Sequence, residues 1–187
     1  MFSKFWLFSF TMLFFLVSCE DSESETNQNI NDDYYQFQKL NLSPYDLEAS
    51  IYLPDASCGI GTAFKPELIH AEGDYKWEIQ VGRYFKLYIE DFGDFKYLME
   101  EKVKQLEQSA IYEISFIKKT TNYIIYSRSI QSKESSQPSK RTFHFYGVFQ
   151  IDGIYYQFMN REEGNTEKEI NFIEKSFNSI KKSNDNA

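Results

Sequence analysis

Cysteine and histidine are scarce in this chain, which removes several kinds of chemistry from consideration. Its 187 residues include two cysteines, Cys19 and Cys58, and two histidines, His70 and His144. No Cys-rich metal site is possible, and a zinc site would need further ligands beside the histidines. Neither a Gly-x-Ser-x-Gly nor a His-Glu-x-x-His pattern occurs. The sequence therefore predicts no cofactor and no catalytic residues, and it assigns each histidine to a strand without a chemical role.

Clustered positive charge is also lacking. The chain has 20 lysines and arginines against 28 aspartates and glutamates, a net charge of −8. A nucleic-acid interface needs clustered Lys and Arg, so we expect no nucleic-acid partner. Six of the acidic residues fall within residues 20–33, which contain no basic residue and one aliphatic residue, Ile30. Such a segment cannot bury enough apolar surface to offset its ordering entropy, so we expect a disordered tether.

A long apolar run occurs at the amino terminus. Phe5 to Val17 is 13 residues, about 20 Å of helix at ~1.5 Å per residue. That is too short for a hydrocarbon core ~30 Å thick, and it fits a secretory leader. Lys4, the apolar run and the sequence Leu16-Val17-Ser18-Cys19 together resemble the signal of bacterial lipoproteins, with those four residues as the lipobox. An ordinary signal peptide in which Cys19 is coincidental is the other interpretation.

The lipoprotein resemblance implies that residues 1–18 are removed and that Cys19 carries a diacylglycerol and usually a further acyl chain. One myristoyl chain binds membranes only reversibly, so two or three chains imply a stable membrane anchor. Residues 19–33 then form the lipidated cysteine and its acidic tether. The acidic residues after Cys19 resemble the surface-export signal of some Gram-negative lipoproteins. The resemblance implies the cell envelope, at the outer membrane, either facing the periplasm or exposed on the surface.

Cys58 has no partner within the chain once Cys19 is lipidated, so no disulfide is expected. It lies in a predicted loop, Asp55 to Gly59, and no histidine is near it in the sequence. A nucleophilic cysteine needs an activating base. We therefore interpret Cys58 as a partly buried, unreactive thiol.

Residues 34–182 predict a single domain, followed by a disordered tail at 183–187. Their number suffices to bury roughly 68–70% of the unfolded surface. The segment 34–46 is interpreted as a short helix or an irregular lead-in. Alternating apolar residues and turn signals then predict strands at Ala49–Leu53, Glu67–Glu72, Lys76–Val81, Phe85–Glu90, Ile111–Ile117, Tyr123–Ser129, Thr142–Ile151 and Ile154–Asn160.

Turn and capping signals in the sequence predict where strands are connected and where two helices begin. Asp152-Gly153 predicts a type I′ hairpin, because both residues tolerate a positive φ. Asp94 is expected to cap a first helix, with Lys102 on its outer face. Thr166 and Glu169 predict a capping box for a second helix. The buried stripes consist of Phe95, Met99, Val103 and Leu106 in the first helix and of Ile170, Ile173, Phe177 and Ile180 in the second.

The order of elements favours an α+β domain with an antiparallel sheet covered by helices. The run Trp77 to Phe92, the helix after Gly93, the hairpin through Asp152-Gly153 and the closing helix with Ser176-Phe177 and Ser179-Ile180 resemble the Mog1/PsbP-like α-β-α sandwich. That fold occurs in many small exported lipoproteins. Its members share no catalytic set, so the resemblance implies no site residues.

Tyrosine is abundant, with 14 residues. The four candidate binding residues are Tyr88, Tyr126, Tyr146 and Tyr156. One interpretation is cross-strand aromatic packing. The other is an exposed aromatic patch on one face of the sheet that binds a protein or a glycan, together with the Ser-rich segment Gln131 to Lys140.

The functional hypothesis is a membrane-anchored envelope lipoprotein whose domain is a non-enzymatic binding module. A first alternative is an envelope hydrolase, which needs two carboxylates with divergent pKa values in one cleft. A second alternative is an immunity-type inhibitor of an exported toxin, which predicts a toxin gene beside its own.

Overall fold

The chain forms ten strands and two α-helices in a computed structural model that describes residues 34–59, 65–131 and 140–183. The leader, Cys19, the tether, residues 132–139 of the Ser-rich segment and residues 184–187 lie outside the described residues. The elements in chain order are β1 Phe37–Asn41, β2 Ala49–Pro54, β3 Glu67–Ile69, β4 Lys76–Val81, β5 Phe85–Asp91, α1 Leu98–Glu107, β6 Tyr112–Lys119, β7 Tyr123–Ile130, β8 Thr142–Ile151, β9 Ile154–Asn160, α2 Glu167–Asn178 and β10 Lys181–Lys182.

The strands form two antiparallel sheets, which confirms the predicted α+β class. The large sheet has seven strands in the order β3-β4-β5-β9-β8-β7-β6, and the small sheet has the order β1-β2-β10. All the strand pairs are antiparallel. The described residues from Tyr34 onward belong to one compact unit.

Local signals fix the turns and the second helix as predicted. Asp152 and Gly153 have φ values of 49° and 90°, as a type I′ hairpin between β8 and β9 requires. The Thr166 side chain accepts a hydrogen bond from the Glu169 amide, and the Glu169 side chain accepts one from the Thr166 amide. These two bonds form the predicted capping box.

Several details differ from the sequence-based expectations. β3 ends at Ile69, so His70 lies outside a strand, and Phe95 precedes the first helix and is 36% exposed instead of lying on its buried stripe. The lead-in contains strand β1, which forms because it pairs with β2 along its whole length. The first helix begins at Leu98 and has no side-chain cap, so Asp94 is not its cap. The preceding segment is held to the sheet instead, since the Phe92 amide donates to Tyr155 and the Tyr155 amide donates to Gly93. Ser183, expected in the tail, bonds to Ser43 and Glu48.

One face of the large sheet is covered by α2 and the small sheet, and this packing forms the main core. Phe177 of α2 lies at its centre, with ring centroids of Phe145, Phe158 and Tyr123 at 5.1, 5.3 and 5.7 Å. Gly147 makes room for it, since a Cβ there would lie 2.6 Å from the Phe177 ring. We call this side the core face.

Among the described residues, α1 is the helix that packs on the opposite face. Met99, Val103 and Leu106 of this helix pack on a small cluster that includes Ile124 and Tyr146. With 10 residues, α1 is about 15 Å long at ~1.5 Å per residue, whereas seven strands at ~4.8 Å span about 29 Å. The helix therefore leaves part of this face uncovered, and we call it the cavity face.

Candidate ligand-binding site

A cavity of about 580 Å³ lies on the cavity face, beside α1. This volume is within the ~300–1,000 Å³ typical of small-molecule sites. Side chains from α1, from β5, β7, β8 and β9, and from the turn after β9 surround it. The lining residues are Tyr88, Lys102, Gln105, Tyr126, Arg128, His144, Phe145, Tyr146, Met159, Asn160, Arg161, Glu162 and Glu163.

Strand register brings three of the four candidate tyrosines together here. Met159 is the register partner of both Tyr88 and Tyr146, so these side chains lie in one row across β5, β9 and β8. Tyr126 is the partner of His144 in the next row. Their rings stack with centroids 5.2 Å apart and an interplanar angle of 21°.

The fourth candidate, Tyr156, lies on the core face. Its ring packs edge-on against Trp77, with centroids 5.9 Å apart, and burial raises the pKa of Tyr156 to about 12. It follows from strand alternation that Tyr156 points opposite to Met159 on β9. The four tyrosines therefore do not share one face.

The expectation of an exposed aromatic patch is also wrong for most of these residues. Tyr126, Tyr146 and Tyr156 are 6%, 3% and 5% exposed, and Tyr88 is half-buried. Helix α1 covers Tyr146, whose hydroxyl donates a hydrogen bond of 3.4 Å to the Leu98 carbonyl. Burial raises the pKa of Tyr146. The tyrosines form the wall and floor of a cavity instead of an open surface.

Three cationic side chains line this cavity, and one of them, Arg161, is paired with Glu169 at 3.6 Å. The other two have no ion pair among the described residues. Lys102 comes from α1, with its ammonium 5.3 Å from the Tyr146 ring centroid. Arg128 comes from β7, packs on the Tyr112 ring at 4.6 Å, and donates to the Glu162 carbonyl. Burial and the charge of Arg128 lower the pKa of Lys102. The prediction that Lys102 lies on the outer face of its helix is wrong, because the short helix has the cavity at its flank.

His144 lies on the floor of the cavity, 3% exposed. Its Nε2 lies 3.0 Å from the Thr142 hydroxyl. Burial first, and then the charges of Arg128 and Lys102, lower the pKa of His144 to about 3. The imidazole is therefore neutral near pH 7, with one nitrogen as donor and one as acceptor.

The turn after β9 closes the cavity against His144. Gly164 has a φ of 81°, and a Cβ there would lie 2.8 Å from His144 Nε2. Asn160 ties this turn to β8, since its Oδ1 accepts from the Phe145 amide and its Nδ2 donates to the Asn165 side chain. Asn165 donates in turn to Glu169 of the capping box. A continuous network thus links the cavity rim to the start of α2.

Glu162 and Glu163 are the only carboxylates among the described residues that line the cavity. Both are exposed and stand at its mouth. The hydrolase alternative requires two carboxylates in one cleft with divergent pKa values. It stays a prediction, as does the immunity-type alternative.

Lys102, Arg128 and His144 were not singled out as site residues from the sequence. Strand alternation carried the signal for two of them, because Arg128 lies two residues after Tyr126 and His144 two residues before Tyr146. Lys102 gave no such signal. Its position depends on how much of the sheet α1 covers, which is a property of the assembled fold.

Cys58 is not among the residues that line this cavity; it lies in the turn Ala56–Cys58 that follows β2. Its thiol donates to the Gln36 carbonyl at 3.0 Å, and burial raises its pKa. A raised pKa leaves little thiolate, the nucleophilic form.

The described residues contain no group of three or more His, Cys, Asp or Glu placed to hold a metal ion. In the same part of the chain, no helix has the length and apolar composition to cross a membrane. Comparisons with models of known protein families, with curated proteins and with solved structures find no match for this chain.

Proposed function

We propose that the chain is a lipid-anchored protein of the bacterial cell envelope whose folded domain binds a ligand in the cavity beside α1. The observation that carries the binding role is the cavity itself. Its volume of about 580 Å³ is within the range of small-molecule sites. Tyrosine rings line it together with several charged and polar side chains that can fix the orientation of a ligand. A glycan or another small envelope molecule is the ligand class we favour.

The membrane anchor is proposed from the sequence Leu16-Val17-Ser18-Cys19. Cys19→Ala removes the thiol that would carry the lipid, so we expect this variant to move from the membrane pellet to the soluble fraction. Cys58→Ala is the matched control and should stay in the pellet. A Cys19→Ala protein that still sediments with membranes would refute the anchor.

The binding role is tested at Tyr88, the one candidate tyrosine that is half-buried. Glycan and small-molecule fractions of the envelope would be passed over the immobilised full chain, and retained molecules identified by mass spectrometry. Tyr88→Ala should weaken retention about tenfold, equivalent to about 1.4 kcal/mol, without lowering the melting temperature. The control is Tyr75→Ala, since Tyr75 is 68% exposed and outside the cavity. Equal retention by both variants would contradict the proposal.

A further inference from the structure

We infer that the ligand carries an oxyanion, a carboxylate or a phosphate group, bound between Lys102 and Arg128 with the Tyr126 hydroxyl as a third donor. This inference rests on the proposed function, because it specifies what the same cavity binds.

The first observation is two cations without an ion-pair partner. Lys102 and Arg128 both line the cavity, and neither belongs to an ion pair among the described residues. The Lys102 ammonium has a single hydrogen bond there, to Gln105 at 3.3 Å. Removing a cation from water without a counter-charge costs free energy. An anion between the two side chains would remove that cost.

The second observation is independent of charge. Tyr126 is 6% exposed, yet none of the hydrogen bonds among the described residues involves its hydroxyl. The hydroxyl is not one of the fully buried unpaired atoms, which are His70 Nε2 and Ser176 Oγ. Since Tyr126 lines the cavity, its remaining exposed surface reaches the cavity. Because no protein group among the described residues occupies it, this hydroxyl is available to donate to an acceptor on a ligand.

These groups supply what an oxyanion needs. A guanidinium, an ammonium and a hydroxyl are all donors, and their hydrogen bonds to a charged oxygen are stronger than bonds to a neutral one. Neutral His144 stands beside Tyr126 and adds a further donor when its free nitrogen carries the proton.

The rest of the cavity indicates that the oxyanion belongs to a larger molecule. Tyr88, Met159 and Tyr146 form an aromatic and apolar wall beside the cations. Glu162 and Glu163 stand at the mouth, where carboxylates can accept bonds from hydroxyl groups. A hydroxylated molecule with one acidic group, such as an acidic sugar, offers partners to the cations, the tyrosine rings and the carboxylates of this cavity.

The test compares three sugars that differ in one group. Glucose, glucuronate and glucose 6-phosphate would be titrated into the purified full chain at constant ionic strength, with inorganic sulfate as a fourth probe. Binding would be followed by calorimetry and by the NMR signals of Tyr88 and His144. We expect the acidic probes to bind at least tenfold more tightly than glucose. The tighter of glucuronate and glucose 6-phosphate identifies the carboxylate or the phosphate as the preferred oxyanion.

Variants assign the effect to named atoms. Lys102→Met and Arg128→Gln should each weaken binding of the acidic probes at least tenfold and leave glucose unaffected. Tyr126→Phe should weaken binding of the acidic probes about threefold. The control is Lys104→Met, because Lys104 lies on the exposed side of the same helix. Without ligand, Lys102→Met should raise the melting temperature, since it removes a charge without an ion-pair partner.

The outcomes separate the two proposals. Equal affinity for glucose and its acidic analogues, unchanged by Lys102→Met and Arg128→Gln, overturns the oxyanion and leaves the binding function standing. If no probe, sulfate included, moves the signals of cavity residues, the oxyanion is overturned, and the binding function is decided separately by the retention of envelope molecules on the full chain and on Tyr88→Ala. A preference for acidic probes that Lys104→Met removes as strongly as Lys102→Met also overturns the assignment.

Discussion

The two faces of the large sheet are made by the same strands but differ in how completely they are covered. On the core face, α2 and the small sheet enclose rings and aliphatic side chains around Phe177. On the cavity face, a helix of 10 residues leaves polar and charged side chains beside an open volume. We infer that the core face supplies most of the stability. The cavity face is less tightly packed, and the space that this leaves forms the proposed binding site.

The largest effect should come from removing Phe177. Its ring contacts four aromatic rings on the core face, so Phe177→Ala should lower the free energy of unfolding by about 3–5 kcal/mol. The comparison is Phe116→Ala, at a half-buried position on the cavity face. It should lower the free energy of unfolding clearly less than Phe177→Ala does. Urea denaturation measures both. Equal losses would mean that the two faces contribute alike to stability.

A smaller effect is expected from filling the space left by Gly147. Its added methyl group would lie 2.6 Å from the Phe177 ring, and overpacking of this kind costs about 1–3 kcal/mol. Combining Gly147→Ala with Phe177→Leu should cost less than the sum of the single changes, because the smaller side chain makes room. Strict additivity in thermal denaturation would argue against a direct clash.

The smallest effect concerns His144 on the cavity face. Its pKa of about 3 in the folded state lies below the ~6.5 of an unfolded histidine. The unfolded state therefore takes up a proton first as the pH falls, and stability is lost. Between pH 7 and pH 5.5 this loss amounts to about 1 kcal/mol.

His144→Gln should remove that part of the pH dependence, as measured by urea unfolding at each pH. His70→Gln is the control and should keep it. An unchanged slope in His144→Gln would show that His144 is not the responsible group.

The elements that were predicted correctly from the sequence are those determined by residues close together in the chain. Lys76–Val81, Thr142–Ile151 and Ile154–Asn160 have the predicted bounds, because their alternation and turns are local. Strand β1 was not predicted, because its sequence has no clear alternation of apolar and polar residues. It forms a strand because it pairs with β2. The order of strands and the position of Lys102 depend on contacts between distant segments, which no single segment encodes.

The candidate site was predicted only in part for the same reason. Tyr88, Tyr126 and Tyr146 were singled out and do meet at one cavity. Their burial, and the presence of two cations among them, follow from where α1 ends relative to the sheet. Tyr156 shares only its residue type with the other three. It lies three positions from Met159 on β9, so its side chain points to the other face of the sheet.

The pairing of β5 with β9 has a consequence for how the chain matures. These neighbouring strands are joined through Leu87 and Asn160, which are far apart in the sequence. Such non-local pairing slows folding, and here the large sheet cannot close until the segment around Asn160 has been synthesised. A nascent chain therefore stays open until late in translation. If the proposed leader sends the chain across a membrane during synthesis, this late pairing leaves β5 without its partner while the chain crosses.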